Sequence, residues 1–316
     1  MGPRGKLLSL AAVALALIGV FLFADLGGNV GYVLPRRAYK VLAIALTGAA
    51  IAFATTVFQT MTNNRILTPN IIGLDSMYVL VQTFLIFAYG SMNAAATDPK
   101  LNFGISVLAM IGFAMVLYRL LFKRPGRHIY FLLLAGVVMG TLFGSLTTFM
   151  QVLIDPNEFL VLQGRLFASF NNIDTELLWV ALAVFVAAGA YALRFVKTLD
   201  AMSLGRDHAV NLGVDYEAVV KKLLAVIAVL ISAATALVGP ITFLGLLVAN
   251  LAVQFMRTYR HKQLIPASIL IGIVALVGGQ LLVERVFAFS TTLSVIVNFA
   301  GGVYFLYLLL KENRSW

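Results

Sequence analysis

Long apolar runs alternate with short polar breaks along almost the whole chain, a pattern that is typical of transmembrane helices. Lipid offers the backbone no hydrogen-bond partner, so a run of about 20 apolar residues has to cross it as a helix. We therefore predict an all-α integral membrane protein with about ten transmembrane helices in a single domain, residues 1–316. The predicted spans cover residues 7–24, 41–60, 73–91, 103–122, 130–153, 176–196, 218–238, 241–256, 265–283 and 292–310.

The first and the eighth runs depart from the simple pattern. The first run follows Arg4 and Lys6, as the apolar core of a signal peptide does. We favour an uncleaved first span, because the run is long and the chain soon enters the membrane again. The eighth run is short and follows Gly239-Pro240, a pair that interrupts helices.

The composition supports a membrane protein and excludes several kinds of chemistry. Hydrophobic residues make up 61% of the 316 residues and charged residues only 11%, whereas soluble domains carry roughly 25% charged residues. Cysteine is absent, which excludes disulfides and thiol chemistry. The chain also lacks a phosphate-binding Gly-x-x-x-x-Gly-Lys-Ser/Thr loop and a His-Glu-x-x-His pair. We expect no catalytic residue, no cofactor and no metal site.

The distribution of lysine and arginine predicts the orientation. With an inside N-terminus and ten alternating spans, the inside loops hold fifteen Lys and Arg residues and the outside loops hold six. Cytoplasmic loops carry an excess of these residues, so we predict that both termini are cytoplasmic. The scatter of the basic residues over short loops also argues against nucleic-acid binding. The six outside residues are Arg36, Arg37, Lys40, Lys100, Arg165 and Arg285.

Ionisable residues are concentrated outside the predicted spans. His128, His208 and His261 fall in predicted cytoplasmic loops, where we expect solvated side chains rather than metal ligands. The span centres hold essentially no acidic or basic residue, whereas ion-coupled transporters usually need such groups inside the membrane. The classes that fit are a passive pathway protein and a pump driven from outside its own chain.

One polar segment, "SLGRDHAVNLGVD", interrupts the apolar pattern between the sixth and seventh spans. Ser203 is a good N-cap and Gly213 is a good residue after a helix end, so we predict about two turns of helix between them. Asp215 can then cap the seventh span. A short helix is marginal in water and needs a surface to pack on. That surface is either the chain's own spans or a partner that contacts Leu204 and Leu212, and the spacing leaves both open.

Two stretches carry a family resemblance. Residues 199–285 contain, in order, "LGRDHAVNLGVD", "SAATALVGPITFLGLLVANLAVQFM" and "YRHKQLIPASILIGIVAL", and residues 42–76 read "LAIALTGAAIAFATTVFQTMTNNRILTPNIIGLDS". In order and spacing these stretches resemble the iron-chelate and vitamin B12 importer permeases of ATP-binding cassette systems, the FecCD-type family. The resemblance implies the type II ABC importer permease architecture. In the earlier stretch the matching positions are Gly48, Gln59, Asn64, Pro69 and Gly73.

Two positions depart from the family pattern. Ala249-Asn250 stands where the family commonly has Pro-His, and Arg65 stands where Pro is common. Without a proline at 249, we expect no kink in the second half of the eighth span. Both departures favour a siderophore branch of the family over a cobalamin branch.

The resemblance also implies a role for the polar segment. In these importers the segment between spans six and seven rests in a cleft of the cytoplasmic ATPase. A short rigid helix held at both ends by spans converts motion of a soluble partner into tilt of the membrane helices. The expected coupling residues are Leu204, Gly205, Arg206, Leu212 and Gly213.

Docking and pathway residues are expected on the same basis. Arg37, Lys40 and Arg285 lie outside, where the resemblance implies contacts with acidic side chains of a binding protein; interfacial anchoring is the alternative. Gln151 and Asn298 lie in the fifth and tenth spans, which the resemblance places along the central pathway. An interhelical hydrogen bond is the favoured alternative for each of these two residues.

The expected function is that of a permease subunit in an ATP-driven importer. Its expected cargo is a ferric siderophore carried across the cytoplasmic membrane. The expected partners are a second permease, identical or homologous, two cytoplasmic ATPases and an extracytoplasmic substrate-binding protein. Cobalamin or haem as cargo is the first alternative, and an ion-coupled secondary transporter is the second.

Overall fold

Helices are the regular elements of the computed structural model, which describes residues 2–24, 29–122, 129–171 and 173–312. In this part of the chain a single-turn 3-10 helix, Pro69–Ile72, accompanies fourteen α-helices. These are α1 (Pro3–Phe23), α2 (Val30–Thr62), α3 (Leu74–Tyr89), α4 (Ala94–Thr97), α5 (Pro99–Phe122), α6 (Ile129–Leu153), α7 (Pro156–Leu166), α8 (Thr175–Leu193), α9 (Val196–Met202), α10 (Arg206–Asn211), α11 (Tyr216–Val238), α12 (Leu244–Met256), α13 (His261–Arg285) and α14 (Leu293–Glu312).

Each of the ten predicted spans coincides with one helix, and the all-helical fold is confirmed. The main difference is α2, which begins well before its predicted span and carries its basic residues on a helical extension. Within the described ranges, seven helices are long and apolar enough to cross a membrane: α1, α2, α5, α6, α8, α11 and α13. The other three, α3, α12 and α14, are shorter apolar helices. Because these three are short, the count of ten spans stays a prediction.

The eighth span is short because the chain leaves helical geometry before it. The 13 residues of α12 extend about 20 Å, whereas the hydrocarbon layer is about 30 Å thick. The predicted break is confirmed, since α11 ends at Val238 and Gly239 has a φ of +99°. The Val238 carbonyl accepts a hydrogen bond of 2.9 Å from the Ser169 amide. The α12 helix continues through Asn250 to its end, as expected without a proline at 249.

The centre of the bundle is formed by α2 and α11. In their most apolar stretches, 78% of α2 and 72% of α11 is buried, against 11% of α1. The α2 helix packs against α11, α12 and α13. Its approach to α13 is close because glycines face each other: a Cβ on Gly272 would lie 3.1 Å from the Gly48 carbonyl oxygen. Small residues of this kind let membrane helices pack backbone to backbone.

The polar turn between α2 and α3 is packed against α6. The chain turns at Asn63, which has a φ of +47°, and enters α3 at Gly73, which has a φ of +91°. A Cβ on Gly136 of α6 would lie 2.6 Å from the Ile72 Cα atom. Only a glycine at 136 therefore lets this turn approach the helix.

Hydrogen bonds show which helix ends lie together. The Lys6 ammonium at the start of α1 donates to the Phe255 carbonyl at the end of α12. At the other end of the bundle, Arg285 at the end of α13 donates to the Ala24 carbonyl after α1. This arrangement agrees with the alternating order of the predicted spans. Which end faces the cytoplasm stays a prediction, based on the lysine and arginine distribution.

We predict that Gly136→Ala lowers the thermal stability of the purified protein in detergent. The added methyl group would meet the backbone at Ile72, and overpacking of this kind costs about 1–3 kcal/mol. The matched control is Gly144→Ala on the same helix, where a Cβ has no neighbour within 4 Å. We expect the control to unfold at or slightly above the wild-type temperature, because alanine favours helix. Equal midpoints for the two variants would contradict this account of the packing.

Candidate functional site

The chain between α8 and α11, residues 194–215, forms two short helices, and the name polar segment covers this whole stretch from here on. The first, α9, ends at Met202, and the second, α10, begins at Arg206 after a turn at Gly205, whose φ is +100°. The expectation that Ser203 caps α10 is wrong. Ser203 instead closes α9, where its hydroxyl donates to the Asp200 carbonyl. The reason is that Gly205, which tolerates a positive φ, makes the turn between α9 and α10 and so occupies the N-cap position of α10 itself.

The end of the polar segment follows the sequence expectations. Gly213 has a φ of +84°, and its amide donates to the Val210 carbonyl while the Val214 amide donates to Ala209. This is the hydrogen-bond pattern of a Schellman helix end. The Asp215 carboxylate accepts a hydrogen bond from the Ala218 amide, which confirms the predicted cap of α11.

The polar segment has a buried base and an exposed apolar tip. Leu199 and Met202 of α9 are fully buried. Leu204 and Leu212 are 57% and 64% exposed, so they do not pack on the chain's own spans. Arg206 is exposed, and its guanidinium lies 3.6 Å from the Glu217 carboxylate. Of the two surfaces considered for this segment, the geometry therefore favours that of a partner.

His261 is the clearest residue that sequence reasoning placed wrongly. Its side chain is not solvated: the residue is 1% exposed, at the start of α13. The Asp200 Oδ1 atom lies 2.7 Å from both the backbone nitrogen and the Nδ1 atom of His261. The Nε2 atom lies 2.7 Å from the Thr60 hydroxyl of α2. His208 is exposed, as expected, and His128 lies outside the described residues.

Arg65 and Asn250, two residues that depart from the family pattern, contact each other. The Arg65 carbonyl accepts hydrogen bonds of 2.6 Å from the Gln59 side chain and 2.8 Å from the Asn250 side chain. Asn250 is 4% exposed and belongs to α12. The amide of Asn250 therefore fixes the turn after α2 to the eighth predicted span. Arg65 and Asn250 lie 185 positions apart in sequence, so no local pattern predicts this contact.

A polar cavity of about 930 Å³ lies at the same end of the bundle as the polar segment. Its walls come from α2, the turn after it, the start of the polar segment, and the end of α12 with the start of α13. Among the lining residues are Thr60, Arg65, Leu204, Arg257 and His261. Motion of the polar segment would change the shape of this cavity.

The three expected docking cations form one cluster. Arg37 donates to the carbonyls of Phe21, Leu22 and Ala24 at the end of α1, and the Ala24 carbonyl also accepts from Arg285. Lys40 lies 2.8 Å from the carboxylate of Glu284, the neighbour of Arg285. The fold brings these residues together, although each also has an internal structural contact.

The expected pathway residues differ in their surroundings. The Asn298 side chain of α14 accepts a hydrogen bond of 3.3 Å from the Phe243 amide at the start of α12. This is the interhelical contact that we favoured over a pathway role. Gln151 is partly exposed near the end of α6. The exposed hydroxyls of Thr141 and Ser145 on the same helix donate to carbonyls one turn earlier.

A further polar contact joins α3, α11 and the break before α12. Asp75 of α3 accepts long hydrogen bonds from Thr235, at 3.4 Å, and from Thr242, at 3.5 Å. The Asn70 amide donates to the Thr242 carbonyl. Sequence reasoning missed this contact because Asp75 lies at the edge of its predicted span. Among the described residues no group of three acidic, histidine or cysteine side chains could hold a metal ion.

Comparison with known proteins gives one family and several relatives. The FecCD transport family matches residues 8–311. The petrobactin import system permease protein YclO of Bacillus subtilis is 62% identical over 316 residues, which is 100% of both chains. The iron(3+)-hydroxamate import system permease protein FhuG of the same species is 28% identical over 279 residues, or 88% of this chain and 83% of that protein. The cobalamin import system permease protein BtuC of Halobacterium salinarum is 30% identical over 287 residues, or 88% and 73%.

A solved structure shows the same fold. An inward-facing ABC transporter of metal-chelate type matches 98% of this chain and 100% of its own chain, with a TM-score of 0.86 at 20% identity. The fold, the apolar helices and the match over almost the whole length describe a multi-pass membrane permease. The chain therefore belongs to the FecCD transport family.

Proposed function

We propose that this permease carries a ferric siderophore across the cytoplasmic membrane as part of an ATP-driven importer. The observation that carries the proposal is the 62% identity to a petrobactin import permease over the whole of both chains. The hydroxamate relative is less similar but also belongs to an iron(3+)-chelate import system. A cobalamin permease also matches, at 30% identity, so cobalamin remains the alternative cargo to test.

The proposed importer needs further subunits that hydrolyse ATP and deliver the cargo. The permease chain itself does no covalent chemistry. A second permease completes the pathway, two cytoplasmic ATPases drive it, and an extracytoplasmic binding protein delivers the cargo. ATP binding and hydrolysis then shift the permease between outward-open and inward-open states, because each nucleotide state favours one of them.

The ATPase contact is proposed for the polar segment around α10. Exposed Leu204 and Leu212 provide an apolar surface next to the charge of Arg206. The buried base of the segment in α9 supports transmission, because α10 contacts α9 and α9 is packed into the bundle. Gly205 and Gly213 shape the tip through their positive φ angles.

The binding-protein contact is proposed for the cluster of Arg37, Lys40 and Arg285. The three cations come from two helices and lie at one end of the bundle, opposite the polar segment. Lys40 pairs with Glu284, and the proposed role of the cluster is to attract acidic side chains of the binding protein. Such surface charges steer the approach of a partner and fix its orientation.

Uptake by the reconstituted complex tests the cargo. We predict that proteoliposomes with the full importer take up labelled iron as a siderophore complex when ATP is supplied. Catecholate, hydroxamate and citrate-type chelates should be compared, with unlabelled cobalamin and haem as competitors. Cobalamin uptake that no iron chelate competes with would contradict the cargo proposal. Uptake that survives ATP depletion and stops with an uncoupler would contradict the ATP-driven mechanism.

Substitution of Gly213 tests the coupling surface. We predict that Gly213→Val weakens ATPase binding or lowers the amount of cargo moved per ATP, because a β-branched residue at a φ of +84° distorts the helix end. Gly213→Asn is the matched control, since asparagine tolerates left-handed backbone and should retain most coupling. A Cβ at this position meets no atom within 4 Å, so crowding does not explain a difference. Wild-type coupling in the valine variant would exclude this role for the helix end.

Charge reversal at Arg285 tests the docking cluster. Neither Arg285→Met nor Arg285→Glu can donate to the Ala24 carbonyl, so the difference between them isolates the negative charge. We predict slower binding-protein association for the glutamate variant, with the larger effect at low salt. The Debye length falls from ~30 Å at 0.01 M to ~3 Å at 1 M, and each exposed pair contributes about 0.2–1 kcal/mol.

The control for general electrostatics is Lys100→Glu. Lys100 is an exposed cation on the same predicted side, and it pairs with Glu176 instead of the docking cluster. This variant should retain the wild-type association rate. Equal rates for the two Arg285 variants at low salt would leave the cluster with a structural role only.

A further inference from the structure

A chain of hydrogen bonds, centred on the buried ring of His261, connects the polar segment to the neighbouring helices α2 and α13. It starts at Asp200 of α9, passes through the His261 ring at the start of α13, and reaches Thr60 of α2. Thr60 donates to the Thr56 carbonyl, and the Thr56 hydroxyl contacts the Ser268 hydroxyl of α13 at 3.1 Å. Three helices that are far apart in sequence thus meet at one imidazole.

The geometry of this contact leaves the imidazole little freedom. A carboxylate can only accept, so the Nδ1 atom of His261 carries the hydrogen that points to Asp200. The same carboxylate oxygen accepts the His261 backbone amide at 2.7 Å, which holds the ring and its backbone to one atom. The Nε2 atom is then the acceptor, so the single hydrogen of the Thr60 hydroxyl is shared between this ring nitrogen, at 2.7 Å, and the Thr56 carbonyl, at 2.9 Å. Because His261 is 1% exposed, loss of either partner leaves a buried ring nitrogen without its hydrogen bond.

We propose that His261 is a positioning residue for coupling, which clamps α9 to α2 and α13. This inference rests on the proposed contact between the ATPase and α10. A force on the exposed tip passes to α9, whose residues Leu199 and Met202 are fully buried. From α9 the Asp200–His261–Thr60 bridge passes the displacement to the two helices that approach each other at Gly48 and Gly272. Without the bridge, α9 moves separately from α2 and α13, and ATP is hydrolysed without movement of cargo.

Variants that cut one half of the bridge test this role. His261→Asn can keep an amide close to the Nδ1 position and loses the contact with Thr60. His261→Gln can reach the Nε2 position and loses the contact with Asp200. Thr60→Val has nearly the shape of threonine and removes only the hydroxyl, so it tests the bridge even if the histidine variants fold poorly. We expect each variant to lower the cargo moved per ATP by roughly five- to tenfold, the factor by which the net free energy of one hydrogen bond shifts an equilibrium.

The double variant His261→Asn with Thr60→Val gives a second readout. Both changes remove the same contact, so the coupling ratio should fall no further than in the worse single variant. Multiplied losses would mean that the two residues act separately and would overturn the bridge.

The matched control for stability is Tyr118→Phe. The Tyr118 hydroxyl of α5 donates a buried hydrogen bond of 3.0 Å to the Leu224 carbonyl of α11, and neither residue belongs to the Asp200–His261–Thr60 bridge. Loss of the Tyr118 hydrogen bond should lower the unfolding temperature as the bridge variants do, with an unchanged ratio of cargo to ATP. An equal loss of coupling in Tyr118→Phe would show a general stability effect and would overturn the inference.

A cross-link separates this inference from the proposed function. The chain has no cysteine, so Leu204→Cys places a single thiol at the exposed tip of the polar segment. A cross-link from this thiol to the ATPase in the assembled importer supports the proposed contact, and its absence contradicts that contact. When the cross-link forms in the His261 variants and their coupling ratio falls, the positioning role is supported. When it forms and the ratio equals that of wild type, the positioning role is excluded while the ATPase contact stands.

Discussion

Backbone groups at the breaks between helices have lost their helical hydrogen bonds and need other partners, and the irregular segments of this fold are arranged around that constraint. In the turn after α2, the Arg65 carbonyl is satisfied by the side chains of Gln59 and Asn250. At the start of α12, the Phe243 amide is satisfied by Asn298. Polar side chains within apolar helices thus stabilise the breaks that make α3 and α12 short. These breaks are also where neighbouring helices are joined.

The paired helices α2 and α13 connect the opposite ends of the molecule. One end of α13 carries His261 beside the polar segment, and the other end carries Arg285 in the cation cluster. The α2 helix likewise extends from Arg37 to Thr60. Close packing of the pair at glycine positions makes independent motion costly, since well-packed helices shift as units. The proposed ATPase contact and the proposed binding-protein contact are therefore built on the same pair of helices.

Sequence reasoning succeeded where the signal is local and failed where it depends on distant partners. The helix break at Gly239 and the cap at Asp215 follow from residue type and near neighbours, and both were predicted. Ser203 was misplaced because it closes one helix in a position that also suits the start of another. His261 was misplaced because its burial depends on Asp200 and Thr60, which lie 61 and 201 positions away. No local pattern distinguishes a solvated histidine from one that bridges three helices.

The sequence by itself determined the helical membrane fold, the positions of its ten apolar helices and its resemblance to importer permeases. It could do so because hydrophobic periodicity, helix breakers and motif spacing act over short stretches of chain. Only the tertiary structure decided that Arg37 and Arg285 share the Ala24 carbonyl, and that His261 is buried. Those outcomes depend on how helices pack across the bundle, and packing sets which polar groups lose water and which partners replace it.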